Sequence, residues 1–600
     1  MLKINFRRGL FIFFLCSITL GFSDTLSDYA KARKLFKTDR MESYILFKNV
    51  SQQQSAVRDF ALYYYAQLSS KEDSIPIYEQ LLSLYPDFIL ATGLKTEIVD
   101  YYFTKENFSK LNADDVWMLA KAYYSRGRWA DSKKAFLYWL EKYQTDDKLI
   151  EATYLLGMTA VKLGVDEYKE AYAYFDEVIK SNNREFINLA RFNKSKLIST
   201  QQGVDEGIVA FQILRNDYGN DAELMAMVLP ELAGLYRIND KYLDAEDCYV
   251  TFLKKFPNRE SSDEIRFQLA RMLFISANYE SAEKYFKEIT NKDELDQSYG
   301  PASLFIMTLM PQSNPIRQHE IHQRLFDEFP WTYYGHLSAQ YLGKRFKRDP
   351  EKFNKYIEIK AVSPRAALFL ELEDDETAAI FLRQKYLKNM YNLPLALYMI
   401  ELYEKLGEYY NALGISDTVW RIYQNKGNLD TMPLIFWEKS NPRYYWEEVN
   451  SEASRYGADP YMLLGLMRQE SRFNSKAMSK SKARGLMQLM PATASGLARF
   501  FGLEQYDLDN PSTNIRFGVK YYAEMTKKHP NKVEYVLSCY NAGPNRTAIW
   551  VSENSQLSTE EFVETIPYTE TRNYVKVIMR NYWNYRDLYT NDVYLGYKFR

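Results

Sequence analysis

Leu232 to Pro257 reads LAGLYRINDKYLDAEDCYVTFLKKFP, a stretch that sets small residues and aromatics at related offsets. Ala233 and Tyr236, then Tyr242, Ala245 and Tyr249, fit two short antiparallel helices, with Pro257 after the second. Small side chains let such helices approach, and aromatics fill the gap to the neighbouring pair. Ala270, Tyr279, Ala282 and Phe286 restate most of the pattern thirty-seven residues later. Weaker copies run through Ala120, Tyr123, Gly127, Trp129 and Phe136, and through Tyr403, Gly407, Tyr409 and Ala412, with no fixed period between them.

The pattern resembles the tetratricopeptide repeat and implies an irregular helical solenoid over residues 24–431. Each helix pair leaves an apolar face that only its neighbours cover, so stacking builds a long concave surface able to hold a polymer or a protein. Most of the 51 tyrosines are expected to pack helices rather than touch a ligand. The repeats themselves carry no chemical motif.

Towards the N-terminus, Lys3, Arg7 and Arg8 lead into an apolar run from Leu10 to Leu15 that fades by Phe22, and Gly21 and Ser23 precede Asp24. This is the grammar of a signal peptide over residues 1–23, with export to the periplasm as its consequence. The run is too short to span a bilayer. Cys16 follows bulky Phe14 and Leu15, which argues against lipoprotein processing. Without the leader only Cys248 and Cys539 remain, too few for a disulfide framework, so packing must hold the fold. With 600 residues and 46% hydrophobic content the chain has material for several cores, and 77 Lys plus Arg against 78 Asp plus Glu give no argument for a nucleic-acid partner. His319, His322, His336 and His529 form no metal-ligand pattern, and neither GxGxxG nor a phosphate loop occurs, so no metal or cofactor is expected.

Downstream, Pro433, Pro442 and Pro460 mark a compositional break. Residues 432–445 read as a linker and 446–600 as a second, also α-helical domain. From Tyr461 to Ser471, Leu463, Leu466, Met467 and Glu470 recur at i, i+3, i+4 and i+7, so a carboxylate occupies an apolar-stripe position. Burial there disfavours the charged form and prepares Glu470 to donate a proton. Gly485 permits close backbone approach, Ser479 and Gln488 can present hydrogen-bonding groups near the carboxyl, and Met487 or Met490 can line a sugar. Val533, Val536, Leu537 and Tyr540 share a second face that ends at Gly543 and Pro544, which points the Tyr540 hydroxyl at Glu470 or at the ligand. Glu570 opens a third helix, whose Val575, Ile578, Met579 and Tyr582 share a face, and the helix dipole favours its charged form.

RQESRFNSKAMSKSKARGLMQLMPATA (Arg468 to Ala494), YNAGP (Tyr540 to Pro544) and IPYTETRNYV (Ile566 to Val575) resemble, in order, the motifs of soluble lytic transglycosylases. The resemblance implies a catalytic domain related to goose-type lysozyme and a substrate of peptidoglycan glycan strands, with peripheral association with the cell wall or outer membrane. It implies cleavage of the β-1,4 bond between N-acetylmuramic acid and N-acetylglucosamine, leaving 1,6-anhydromuramic ends. Glu470 matches the catalytic glutamate, and Ser479, Gln488, Met490, Tyr540 and Glu570 match substrate-binding positions. Lys482 stands where the family commonly has Gly, and Asn545 with Thr547 replaces the usual Gly and Val, departures that bear on loop shape and subsite preference. Hydrolysis by a lysozyme-like pair of carboxylates stays open, with Asp507, Asp509, Glu564 and Glu570 as second members. So does a glycan-binding scaffold without activity.

Overall fold

A computed structural model describes residues 24–143, 148–292 and 298–590. The expected signal peptide, residues 1–23, lies outside them. Regular structure among these residues is helical apart from two isolated β-bridges, Met478 with Arg484 and Arg484 with Leu489. No helix among them is long and apolar enough to cross a membrane. Cys248 and Cys539 are buried free thiols.

The opening stretch folds as α1 (Ala222–Ile238) and α2 (Tyr242–Lys255). Asp221 caps α1, its Oδ1 accepting the Leu224 amide at 3.1 Å. Ala233 and Ala245 are fully buried where the two helices meet. Asp240 turns the chain in the left-handed region (φ 53°), and the Lys241 amide donates back to the Tyr236 carbonyl at 2.9 Å. The same bond closes the three other repeat turns: Arg128 to Tyr123 at 2.9 Å, Asn278 to Leu273 at 2.9 Å and Glu408 to Tyr403 at 2.8 Å. Gly127, Ala277 and Gly407 hold the left-handed position before each donor. A six-to-one bond of this kind satisfies helix-end carbonyls. The repeats therefore share a turn even where they share few side chains.

The chain divides into two compact units. Unit 1 comprises Met1–Leu269 with Leu368–Asp374 added from further along. Its helices pack on their chain neighbours around cores such as Val116, Leu119, Phe136, Trp139 and Leu156. In the added segment, buried Asp374 accepts the Tyr29 hydroxyl at 2.7 Å and pairs with Arg33 at 2.9 Å.

Unit 2 comprises Ala270–Ala367 and Asp375–Arg600. It contains α3 (Tyr333–Tyr341), α4 (Tyr409–Asn425), α5 (Pro460–Glu470), α6 (Pro511–Lys528), α7 (Val533–Ala542) and α8 (Thr569–Tyr589). Leu434–Ser440, inside the stretch read as a linker, is itself helical and buries Phe436 and Trp437. The long helix α8 is buried on several faces, with Val575, Ile578 and Met579 wholly enclosed, and α3, α5 and α7 pack around it. Gly465 makes the α5 crossing possible, since a Cβ there would stand 3.3 Å from the Tyr582 amide nitrogen. From α3, Tyr333 stacks on Trp583 with ring centroids 5.6 Å apart, and His336 Nε2 lies 2.9 Å from Asn584 Oδ1. Tyr334 donates to Glu564 Oε1 at 2.9 Å while Lys576 pairs with Oε2 at 2.9 Å. Burial pulls Lys576 down to about 8, against the pull of Glu564. Arg271 donates to the carbonyls of Glu564 and Ile566 at 2.8 and 2.9 Å.

Candidate active site

Helix α5 is built to hold its last residue still. Asp459 caps it by accepting the Tyr461 amide at 2.9 Å and also takes Tyr582 at 3.0 Å and Arg586 at 2.8 Å, both from α8. Pro460 fills the first turn, and Leu463, Leu466 and Met467 have no exposed surface. Glu470 closes the same stripe, half-buried, and its Oε1 accepts the hydroxyl of Tyr574 from α8. Burial raises its carboxyl from 4.5 to about 7; the Tyr574 hydrogen bond opposes this rise and the charge of Glu570 adds to it. A carboxyl in that state is protonated in about half of the molecules at neutral pH and can both give and take a proton.

Past Glu470 the chain turns sharply. Arg472 (φ 51°) and Phe473 (φ 60°) are both left-handed, and Lys482 (φ 67°) and Gln488 (φ 46°) follow in the same loop. Four of the eleven such non-glycine residues in the described chain thus sit within this one loop, each at a cost of about 1–2 kcal/mol that the surrounding bonds must offset. Those bonds are explicit. Ser479 Oγ accepts the Ala483 amide at 2.9 Å, and the backbones of Arg484 and Leu489 exchange two bonds of 3.0 Å. The Gln488 amide group donates to Ala477 and Gly485 carbonyls at 3.1 and 2.9 Å. Buried Asn514 of α6 donates to the Arg484 and Leu508 carbonyls and accepts the Met487 amide at 2.8 Å. Gly485 (φ 78°) lies so close to Asn514 that a Cβ would fall 2.0 Å from its Nδ2.

Ser479 and Gln488 therefore brace the loop. Met487 is core, packed on Gly518 of α6, whereas Met490 is 44% exposed at the loop's end. Tyr540, on α7, sends its hydroxyl to the Met487 carbonyl at 2.9 Å rather than to Glu470, although burial first and the Glu470 charge second hold its phenol well above the usual range. Glu570 is exposed in the first turn of α8, near enough for its charge to act on Glu470. Thr571 Oγ1 donates to Asn541 Oδ1 at 2.7 Å and so ties the second motif to the third. Of the other carboxylates, Glu564 is enclosed with Lys576 and Tyr334, Asp509 pairs with Arg484 at 2.6 Å, and Asp507 accepts the Asp509 amide. Tyr574 and Asn514 were not singled out by the sequence reading. Tyr574 stands one turn before Ile578 on the apolar face of α8, and that spacing was the available signal.

Residues 447–563 match the model of the transglycosylase SLT domain. Soluble lytic murein transglycosylases of Escherichia coli and Salmonella typhimurium are each 36% identical to this chain over 121 residues, 19% of this chain and 19% of theirs. The likeness in sequence is confined to this domain, and the chain spans only about a fifth to a quarter of the length of the curated relatives it matches. The SLT domain holds Glu470, the strained loop and α7, while Tyr574 and Glu570 lie just beyond the matched residues. Two solved structures share the fold over nearly the whole length. An inactive mutant of the lytic transglycosylase Slt from Pseudomonas aeruginosa has a TM-score of 0.59 at 16% identity, covering 93% of this chain and 96% of its own. The 70 kDa soluble lytic transglycosylase of Escherichia coli has a TM-score of 0.57 at 18% identity, covering 96% and 99%.

Proposed function

We propose that the chain is a peptidoglycan lytic transglycosylase, and the observation that carries the reading is Glu470, lifted to about 7 with a tyrosine hydroxyl on one oxygen. Protonated Glu470 gives its proton to the glycosidic oxygen between N-acetylmuramic acid and N-acetylglucosamine as the bond to the muramoyl anomeric carbon breaks. The N-acetyl carbonyl of the same sugar shields the cationic centre. Glu470, now a carboxylate, takes the proton of the C6 hydroxyl as that oxygen bonds to the anomeric carbon, closing the 1,6-anhydro ring. The proton balance is zero, so one carboxyl suffices. Engagement of Glu564 by Lys576 and of Asp509 by Arg484 supports this one-carboxyl chemistry over a two-carboxylate hydrolysis.

In this reading residues 446–600 form the catalytic domain, and the helices before it orient glycan strands. Export by residues 1–23 places the protein in the periplasm, against its substrate. Ser479, Gln488 and Met490 shape the groove, and Tyr540 and Glu570 flank the reacting sugars. Digestion of purified peptidoglycan followed by mass analysis tests the proposal: every new muramoyl end should be lighter by one water than a reducing end. Reducing muramic ends would replace it with hydrolysis, and no cleavage would leave a glycan-binding scaffold.

A further inference from the structure

Four arginines and one carboxylate line a pocket of about 520 Å³ in unit 2, whose lining does not include Glu470. Arg421 and Asp417 come from α4, Arg468 and Arg472 from α5 and the turn after it, and Arg580 from α8. Asp417 is already shared, Oδ1 with Arg468 and Oδ2 with Arg472 at 2.7 Å. Taking the four cations against that single anion leaves a surplus of three positive charges. Arg580 forms no ion pair among the described residues; its Nη2 donates to Asn581 Oδ1 at 3.0 Å. Burial and the neighbouring Arg468 lower it only to about 10, so it stays charged at neutral pH. Arg472 Nε is buried with no hydrogen-bond partner among the described residues. Among the described residues Arg421 donates only to the Asp417 carbonyl and the Thr418 hydroxyl, both at 3.4 Å.

Gathering like charges around a cavity is unfavourable unless an anion completes it, and unused guanidinium donors are the groups that grip oxyanions in forks. We propose that this pocket binds a compact oxyanion, a phosphate or a carboxylate, bridging α4 to the α5 and α8 pair. Its donors come from Arg580, Arg472 and Arg421, with Gln469, Asn581 and Asn584 supplying neutral partners at the wall. The inference does not depend on the proposed activity.

The test is calorimetric titration of the full chain with inorganic phosphate and, separately, with glutarate, at constant ionic strength set by chloride. At least one oxyanion should bind saturably at one site per chain, and the two arms tell which chemistry the pocket takes. Arg421→Glu, on the exposed rim, should weaken that binding about tenfold through charge reversal. Arg580→Gln should abolish it, with a thermal melt to check folding. Absence of saturable binding by both anions overturns the proposal, and so does an unchanged Kd in Arg421→Glu, whatever becomes of the Arg580 variant.

Discussion

Replacing Glu470 by Gln keeps the side chain's shape and removes its proton, so turnover should fall by about 10²–10⁴-fold or more in an assay of anhydro ends. In the parent protein, kcat/KM should decline as pH rises through about 7, because the proton-donating form is lost there. The same burial has a stability signature. A carboxyl whose folded value exceeds its unfolded one binds more protons when folded, so it costs stability as pH rises. Glu470→Gln should therefore match the parent near pH 4 and gain up to about 3 kcal/mol above pH 7, the gap opening between 4.5 and about 7. Tyr574 and Tyr540 separate cleanly by this readout. Tyr574→Phe removes a donor to the carboxylate, so the alkaline limb should move to higher pH. Tyr540→Phe strands the Met487 carbonyl and should cost about 1 kcal/mol of stability while leaving that limb in place. The position of Glu470 was legible because an acid on an apolar stripe breaks a periodic rule. Tyr574 was not, because a tyrosine on a helix face obeys it.

Among elements, the loop after α5 shows how far local patterns reach. Its glycine and proline were readable as turn chemistry, and Gly485 does make the close approach expected of it. The strain in the loop was invisible, since Arg472, Phe473, Lys482 and Gln488 carry no mark of a left-handed backbone. Lys482 turns a departure from the family pattern into a measurable quantity. Its φ of 67° favours Gly, and it is exposed with no ion pair among the described residues. Lys482→Gly should raise the unfolding free energy by about 0.5–1 kcal/mol, relief of strain exceeding the added freedom of the unfolded chain. Denaturant titration checks this; a loss of stability would mean that the lysine side chain holds the turn. Asn514, which ties two backbone groups of the loop to the Leu508 carbonyl, lies in α6 about thirty residues from the loop, and buried asparagines give no sequence signal of their partners. The repeat turns were the opposite case. Small and aromatic residues located them, and one shared backbone bond explains why Asp240 and Ala277 serve where Gly127 and Gly407 do elsewhere.

At the scale of the molecule, the prolines near residue 440 signal a local break, whereas unit 2 is knit by contacts such as Tyr334 to Glu564 and Arg271 to Glu564, 230 and 293 residues apart. Hydrophobic periodicity carries no information at that range. A fragment beginning at Trp446 would strip Glu564 and Lys576 of Tyr334, and Trp583 of its stacking partner Tyr333. It should be less stable than a fragment beginning at Ala270 by about 3 kcal/mol or more. Thermal melts of the two would show this, and equal midpoints would mean that these long-range contacts contribute nothing net. The longer fragment also tests the role of unit 1. If unit 1 orients the strand, the fragment should keep forming anhydro ends while its product lengths change with time differently from those of the whole chain.

Asp374 is made 345 residues after Tyr29, the side chain whose hydroxyl it accepts. Tyr29 is therefore made long before its buried acidic partner exists. Closing a loop of that length costs about 5 kcal/mol of chain entropy, which contacts along the intervening repeats must progressively reduce. Tyr29 and Arg33 are thus made early and completed late, and a chain stalled before residue 368 would leave both without their buried acidic partner. Quality control that samples the segment around Tyr29 would in effect be reading whether synthesis had passed residue 374.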